Sequence, residues 1–200
     1  MADISPELDF SNYFHSNSNK SEHREKDNIL YRWADTHWEV VTADALERAA
    51  CNWLAAHRPD KCNVKIAASA AATAVKRAEL LPTTNHTIIP TSNGYLHIKD
   101  REANLLPPEP DLGVTYCLAC NYDPSAIPVQ FLSFITEALP DADVRAYLQE
   151  YAGYTLLPDC RHQLACWLIG GGGNGKSTFA QIMQALHKRP EVALKIRTVC

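Results

Sequence analysis

The chain has 200 residues, 46% hydrophobic and 21% charged, with a formal net charge of −4, which is ordinary for a globular protein with room for one sizeable domain or two small ones. No apolar run approaches the roughly 18 residues of a membrane span, and the N-terminus, from Met1 to Pro6, lacks the basic and apolar regions of a secretion signal. The 7 cysteines are odd in number and irregularly spaced, which argues against a disulfide framework, so the expectation is a cytoplasmic protein with no membrane partner.

Residues 1–28 are rich in Ser, Asn, Glu and Lys and read as a flexible leader, because so few apolar positions bury little surface. Two β-rich runs, 29–33 and 37–41, flank a polar turn at 34–36 and predict a hairpin carrying Trp33 and Trp38. Both rings offer base-stacking surface, but a half-buried hairpin favours a core role for them. Thr42 is placed to cap a helix over 43–57, with Asp44 in its first turn and Leu46, Ala50, Trp53 and Leu54 on one face. An alanine-rich helix over 63–80 follows and is expected to pack against it. Lys65, Lys76 and Arg77 on that helix read as a solvated face rather than as phosphate contacts.

The runs 87–90 and 95–98, joined through Ser92, Asn93 and Gly94, predict a second hairpin. Residues 105–110 are proline-broken and extended, residues 114–117 suggest a short strand, and residues 121–124 suggest a turn. Two helices, 129–139 and 141–152, are separated by Pro140, with Asp141 as the N-cap of the second. The apolar run 164–169 reads as a buried strand and the run 178–187 as a helix. Charge is uneven along this half. Residues 100–160 carry ten Asp and Glu against two Arg, whereas residues 161–200 carry six Lys and Arg against the single Glu191. The basic end suits a nucleotide or nucleic acid, or is simply solvated, and the acidic middle is a poor nucleic-acid surface.

Between that strand and helix lies a glycine-rich loop, Gly170, Gly171, Gly172, Gly173, Asn174, Gly175, Lys176, Ser177 and Thr178. It meets the phosphate-binding (Walker A) pattern of Gly, four free residues, Gly, Lys and Ser or Thr. Glycines let successive N–H groups turn inward toward an anion, and the following helix N-terminus adds partial positive charge. Lys176 is expected at the β- and γ-phosphates of ATP, Ser177 at the accompanying Mg²⁺, and Thr178 to add a backbone N–H. Cys117 and Cys120 have half of a zinc-ligand spacing, for which Cys160, His162 and Cys166 are irregular complements. Burial as small hydrophobes is the preferred reading of these cysteines, and a structural role that of His162.

Residues 93–98, 121–124, 144–154 and 172–177 together resemble the phage- and plasmid-encoded primase-helicases, specifically their superfamily 3 helicase half, over about residues 27–190. The resemblance implies an ATP-dependent, hexamer-forming DNA helicase used in replication. In it Gly170, Gly175, Lys176 and Ser177 serve nucleotide binding, and residues 29–158 are an accessory N-terminal module. The implied fold is an α+β N-terminal region followed, at 159–200, by the first strand–loop–helix of an incomplete α/β P-loop NTPase core. The sequence departs from that family after Ser177. A hydrolysing enzyme needs a strand ending in acids and a transition-state arginine, and Glu191 precedes the apolar residues 192–194 instead of following them. The chain is therefore read as a truncated helicase, competent at most for nucleotide binding. Its partners would be copies of itself or full-length subunits, and DNA in the intact protein. The alternatives are a non-catalytic assembly or regulatory module that binds intact subunits, a P-loop nucleotide kinase, and a zinc-bearing DNA module.

Overall fold

Alternating polar and apolar runs near the N-terminus set up the first sheet, and small residues set up the helix layer behind it. The computed structural model describes residues 4–17, 23–100, 102–158 and 161–187. The chain is mixed α+β and divides into two units, Met1–Asn85 with Pro108–Tyr116, and His86–Pro107 with Cys117–Cys200. Among the described residues no helix is long and apolar enough to cross a membrane.

In the first unit, β1 (His23–Lys26), β2 (Ile29–Trp33), β3 (Trp38–Val41) and β4 (Glu79–Leu80) form a sheet of order β3-β2-β1-β4. The expected hairpin is β2–β3, with Trp33 opposite Trp38. A second hairpin, β1–β2, turns on Asp27 and Asn28, both with positive φ (55° and 62°). Left-handed Asp and Asn at both central positions make the tight turn whose twist suits paired strands. β4 runs parallel to β1, and Arg24 pairs with Glu79 at 2.9 Å across that edge.

The described part of the segment read as a leader forms regular elements: residues 6–17 form α1 (Pro6–Asn17), and residues 23–26 supply β1. Average polarity concealed the periodicity. Phe10 and Phe14 lie one turn apart, and Phe10 is 1% exposed, edge-on to Trp53 at 5.8 Å. Polar ties flank this contact. Arg58 Nη1 donates to Asp9 Oδ2 at 2.7 Å, Arg77 Nη1 to the buried Ser11 Oγ at 2.9 Å, and His15 Nε2 lies 3.0 Å from the Ala74 carbonyl oxygen.

Helix α2 (Ala43–His57) begins where expected, with Thr42 Oγ1 accepting from Ala45 N, and its inner face is Leu46, Ala50, Trp53 and Leu54. Helix α3 (Val64–Arg77), capped by Asn63, is shorter than expected because residues 79–80 leave it for the sheet. Ala67, Ala70, Ala71 and Ala74 are buried, and their small side chains let α1 and α2 both approach α3 closely. Removing the cap with Thr42→Ala is expected to cost about 1 kcal/mol in urea-induced unfolding.

Trp38 is core, as the sequence favoured. It is 1% exposed, donates Nε1–H to the Pro110 carbonyl at 2.8 Å, and lies under the Arg24 guanidinium. The expected strand at 114–117 is absent, but Trp38 N donates to the Val114 carbonyl at 2.8 Å, so residues 108–116 return to this unit without a ladder. Gly113 makes that return possible. Its φ is +62°, and a Cβ there would fall 1.8 Å from the Pro82 carbonyl oxygen.

The second unit starts with an antiparallel sheet of β5 (Thr87–Thr91), β6 (Gly94–Lys99) and β7 (Glu102–Leu106), in the order β5-β6-β7. β7 occupies part of what the prolines suggested was a connection. Helices α4 (Val129–Ala138), α5 (Ala142–Tyr154) and α6 (Lys176–Leu186) follow. Asp141 caps α5, accepting from Asp143 N at 2.9 Å and Val144 N at 3.3 Å. Ile135, Leu148 and Phe179 form the shared core of these helices, joined by Phe131, Phe134, Leu139 and Met183. The boundary expected near residue 158 falls within the second unit. α4 and α5 belong with α6, because the apolar face of α6 needs a partner and finds it there.

Residues 164–169 are not a strand. Cys166 and Leu168 are half-buried against the Ile135 cluster, whereas Trp167 and Ile169 are 79% and 84% exposed. The inside–outside alternation of a strand is present, but a ladder needs a neighbour, and no described strand pairs with this segment.

Candidate functional site

The expected loop opens α6. Gly173 and Gly175 have φ of +73° and +80°, left-handed backbone that turns the chain into the helix, and Phe179 N closes the first helical bond on the Gly175 carbonyl at 2.9 Å. Helix α6 begins at Lys176, two residues before the sequence reading placed it, so Lys176, Ser177 and Thr178 form its first turn. Ser177 and Thr178 are exposed. With no side-chain cap at Gly175, the N–H groups of this turn remain directed along the helix axis toward the loop.

The Lys176 ammonium reaches back into the loop. It donates to the carbonyl oxygens of Gly170 at 2.9 Å and Gly171 at 2.7 Å, and to Asn174 Oδ1 at 2.5 Å. The Asn174 carboxamide lies over Gly170, where a Cβ would come 2.3 Å from its Nδ2. Gly171, Gly172 and Gly173 meet nothing within 4 Å in the Cβ direction, so that side of the loop is open. Gly170, Gly171 and Asn174 thus converge on one cation, the Lys176 ammonium.

Supports of the loop were not legible in the motif. A Cβ on Gly175 would come 2.9 Å from Phe134 Cε2 and 3.2 Å from Ala138 Cβ, so α4 presses directly on the loop. Phe134 and Ala138, one turn apart, carry the only available sequence signal, an apolar helix face. At the far end of α6, Ala119 N donates to the Leu186 carbonyl at 2.9 Å, and Thr155 Oγ1 lies 3.2 Å from His187 Nε2. Residues 117–122 are in turn held by the β5–β6 hairpin. Asn93 Oδ1 accepts from Tyr122 N at 2.9 Å, its Nδ2 donates to the Tyr122 carbonyl at 3.0 Å, and Ser92 N donates to the Cys120 carbonyl at 2.9 Å.

Cys117 and Cys120 lie in this bracket. Burial, with the neighbouring Cys117 thiol, pushes the Cys120 thiol above its usual range, and burial does the same to Cys166. Among the described residues no group of three or more His, Cys, Asp or Glu is placed to hold a metal ion. Cys160 and Glu191 lie outside the described residues. His162 packs its exposed ring near Tyr154, at 5.4 Å between centroids. Replacing Asn93 with alanine removes both bonds to Tyr122 and is expected to cost about 1–2 kcal/mol. Alkylation of Cys117 and Cys120, followed by mass spectrometry, should become several-fold faster as the bracket loosens.

No protein-family model matches the chain, and a search of curated proteins returns no match.

Proposed function

We propose that this sequence is part of an ATP-dependent superfamily 3 DNA helicase, of the kind found in phage- and plasmid-encoded primase-helicases and used in DNA replication. The observation that carries the reading is the convergence of Lys176, Asn174 and the Gly170 and Gly171 carbonyls in a loop that left-handed glycines fold onto the first turn of α6. Its chemistry fits a polyphosphate with Mg²⁺. The N–H groups of the first turn of α6 and one ammonium suit anionic oxygens, and an exposed hydroxyl, Ser177, stands next to that ammonium in sequence. Gly170, Gly171, Gly172, Gly173, Asn174, Gly175, Lys176 and Thr178 would hold the phosphates, Asn174 through its backbone N–H, and Ser177 would be the Mg²⁺ ligand. ATP supplies the hydrolysis free energy that drives an intact helicase.

In this reading residues 164–169 lead into the loop as an extended apolar segment without a ladder, with Cys166 and Leu168 packed on the Ile135 cluster. Residues 29–158 act as the accessory module, the partners are further helicase subunits in a hexamer and DNA, and the setting is the cytoplasm. Nucleotide binding is the activity assigned to these residues. Titration calorimetry with Mg-ATP tests this. Lys176→Ala is expected to weaken binding about 10- to 100-fold, and an unchanged affinity in a folded variant would overturn the reading.

A second reading, an assembly module without catalysis, is favoured by the outward apolar residues Trp167, Ile169, Ile127 and Val129, each at least 67% exposed. It predicts co-purification with intact subunits of such a helicase, undiminished by Lys176→Ala.

A further inference from the structure

The nucleotide-binding pattern assigns no role to the position before its second glycine, yet Asn174 at that position supplies one of the three bonds to the lysine ammonium. The two carbonyl bonds come from the backbone and are available whatever the side chains are. The third comes from a side chain, so the identity of residue 174 decides whether it exists. An amide oxygen bonded to an ammonium is a charge-assisted contact, stronger than a neutral pair even where solvent reaches it. The nitrogen of the same carboxamide lies over Gly170, in the space a Cβ there would take, so the side chain sits close on the loop.

Phosphate oxygens and the Asn174 oxygen draw on the same three ammonium protons. A polyphosphate that takes Lys176 must therefore release it from at least part of its present set of acceptors. Building on the nucleotide-binding reading, we propose that Asn174 sets the affinity of the loop for nucleoside triphosphate by holding the Lys176 ammonium against the loop in competition with the phosphates. Asn174 is then a positioning residue that acts through Lys176.

This role predicts an effect opposite to that of an ordinary ligand contact. Removing the carboxamide frees the ammonium and strengthens binding, whereas removing a side chain that itself grips phosphate weakens it. Alanine suits the site, because residue 174 is exposed and does not share the positive φ of Gly173 and Gly175.

The experiment is a double-mutant cycle on the full chain, reading Mg-ATP dissociation constants by titration calorimetry, with circular dichroism to establish that each variant is folded. Asn174→Ala is expected to bind about 3- to 10-fold more tightly than the parent chain. In a Lys176→Ala background the same change should alter affinity less than about twofold, since the partner of the carboxamide is gone. Equal or weaker binding by Asn174→Ala, or an equal gain with and without Lys176, would overturn the proposal while leaving the nucleotide-binding reading intact. Absence of Mg-ATP binding by the parent chain would remove both. Intact parent binding with no loss in Lys176→Ala would refute the lysine's role and the proposal with it.

Discussion

Replacing Phe10 with alanine is expected to lower the unfolding free energy of the first unit by about 3–5 kcal/mol, the cost of deleting a buried aromatic ring that its surroundings cannot refill. Phe10 is 1% exposed and belongs to one cluster with Leu30, Leu46, Ala50, Trp53, Leu54 and the inner alanines of α3. Those alanines are helix-borne and too short to move into the gap, so the cavity would persist. A loss of this size is a large part of the stability of a typical domain, about 5–15 kcal/mol. The measurement is urea denaturation followed by tryptophan fluorescence, since Trp53 contacts the deleted ring. Leu8→Ala, on the outer side of α1 at 39% exposure, should cost under about 1 kcal/mol. If Phe10→Ala proved as mild as Leu8→Ala, α1 would not be part of the core.

The second large effect is expected at Gly175. An L-residue there adopts left-handed backbone, at about 1–2 kcal/mol, and drives its Cβ to 2.9 Å from the Phe134 ring and 3.2 Å from Ala138. Phe134 cannot swing away freely, because it packs on the core of Ile135, Leu148 and Phe179. Overpacking of that kind adds about 1–3 kcal/mol, so Gly175→Ala should destabilise the second unit by about 2–5 kcal/mol in thermal or urea melts. Gly171→Ala is the internal control. It has no positive φ and no neighbour within 4 Å in the Cβ direction, and it should fall within about 0.5 kcal/mol of the parent. Equal effects at the two positions would mean that α4 does not buttress the loop. On the nucleotide-binding reading, Gly175→Ala should also lose Mg-ATP affinity, since the turn that aims the loop at α6 is deformed.

Local signals and local outcomes agree at several points. The Thr42 cap with the four-residue inner face of α2, the β2–β3 hairpin, the Asp141 cap of α5 and the glycine-rich turn into α6 are each set by residues within about one helical turn or one strand pair of one another. The failures also share a cause. Residues 1–28 read as a leader because polarity was averaged, whereas the Phe10–Phe14 spacing becomes meaningful only beside the alanine face of α3. β4 and β7 are strands by pairing, not by composition, and β7 is exposed along its whole length. Residues 164–169 went the other way, with the composition of a strand and no neighbour to complete a ladder.

The Thr42 and Asp141 caps, the inner face of α2 and the glycine-rich loop were legible locally, because each depends on backbone preferences and spacings that a few neighbouring residues settle. Long-range packing, by contrast, made Phe10 core, returned residues 108–116 to the first unit, and set α4 against Gly175 and Asn93 against residues 117–122. Burial, strand pairing and close approach are properties of pairs of residues distant in the chain. No single segment contains both members of such a pair, so no local pattern can state them.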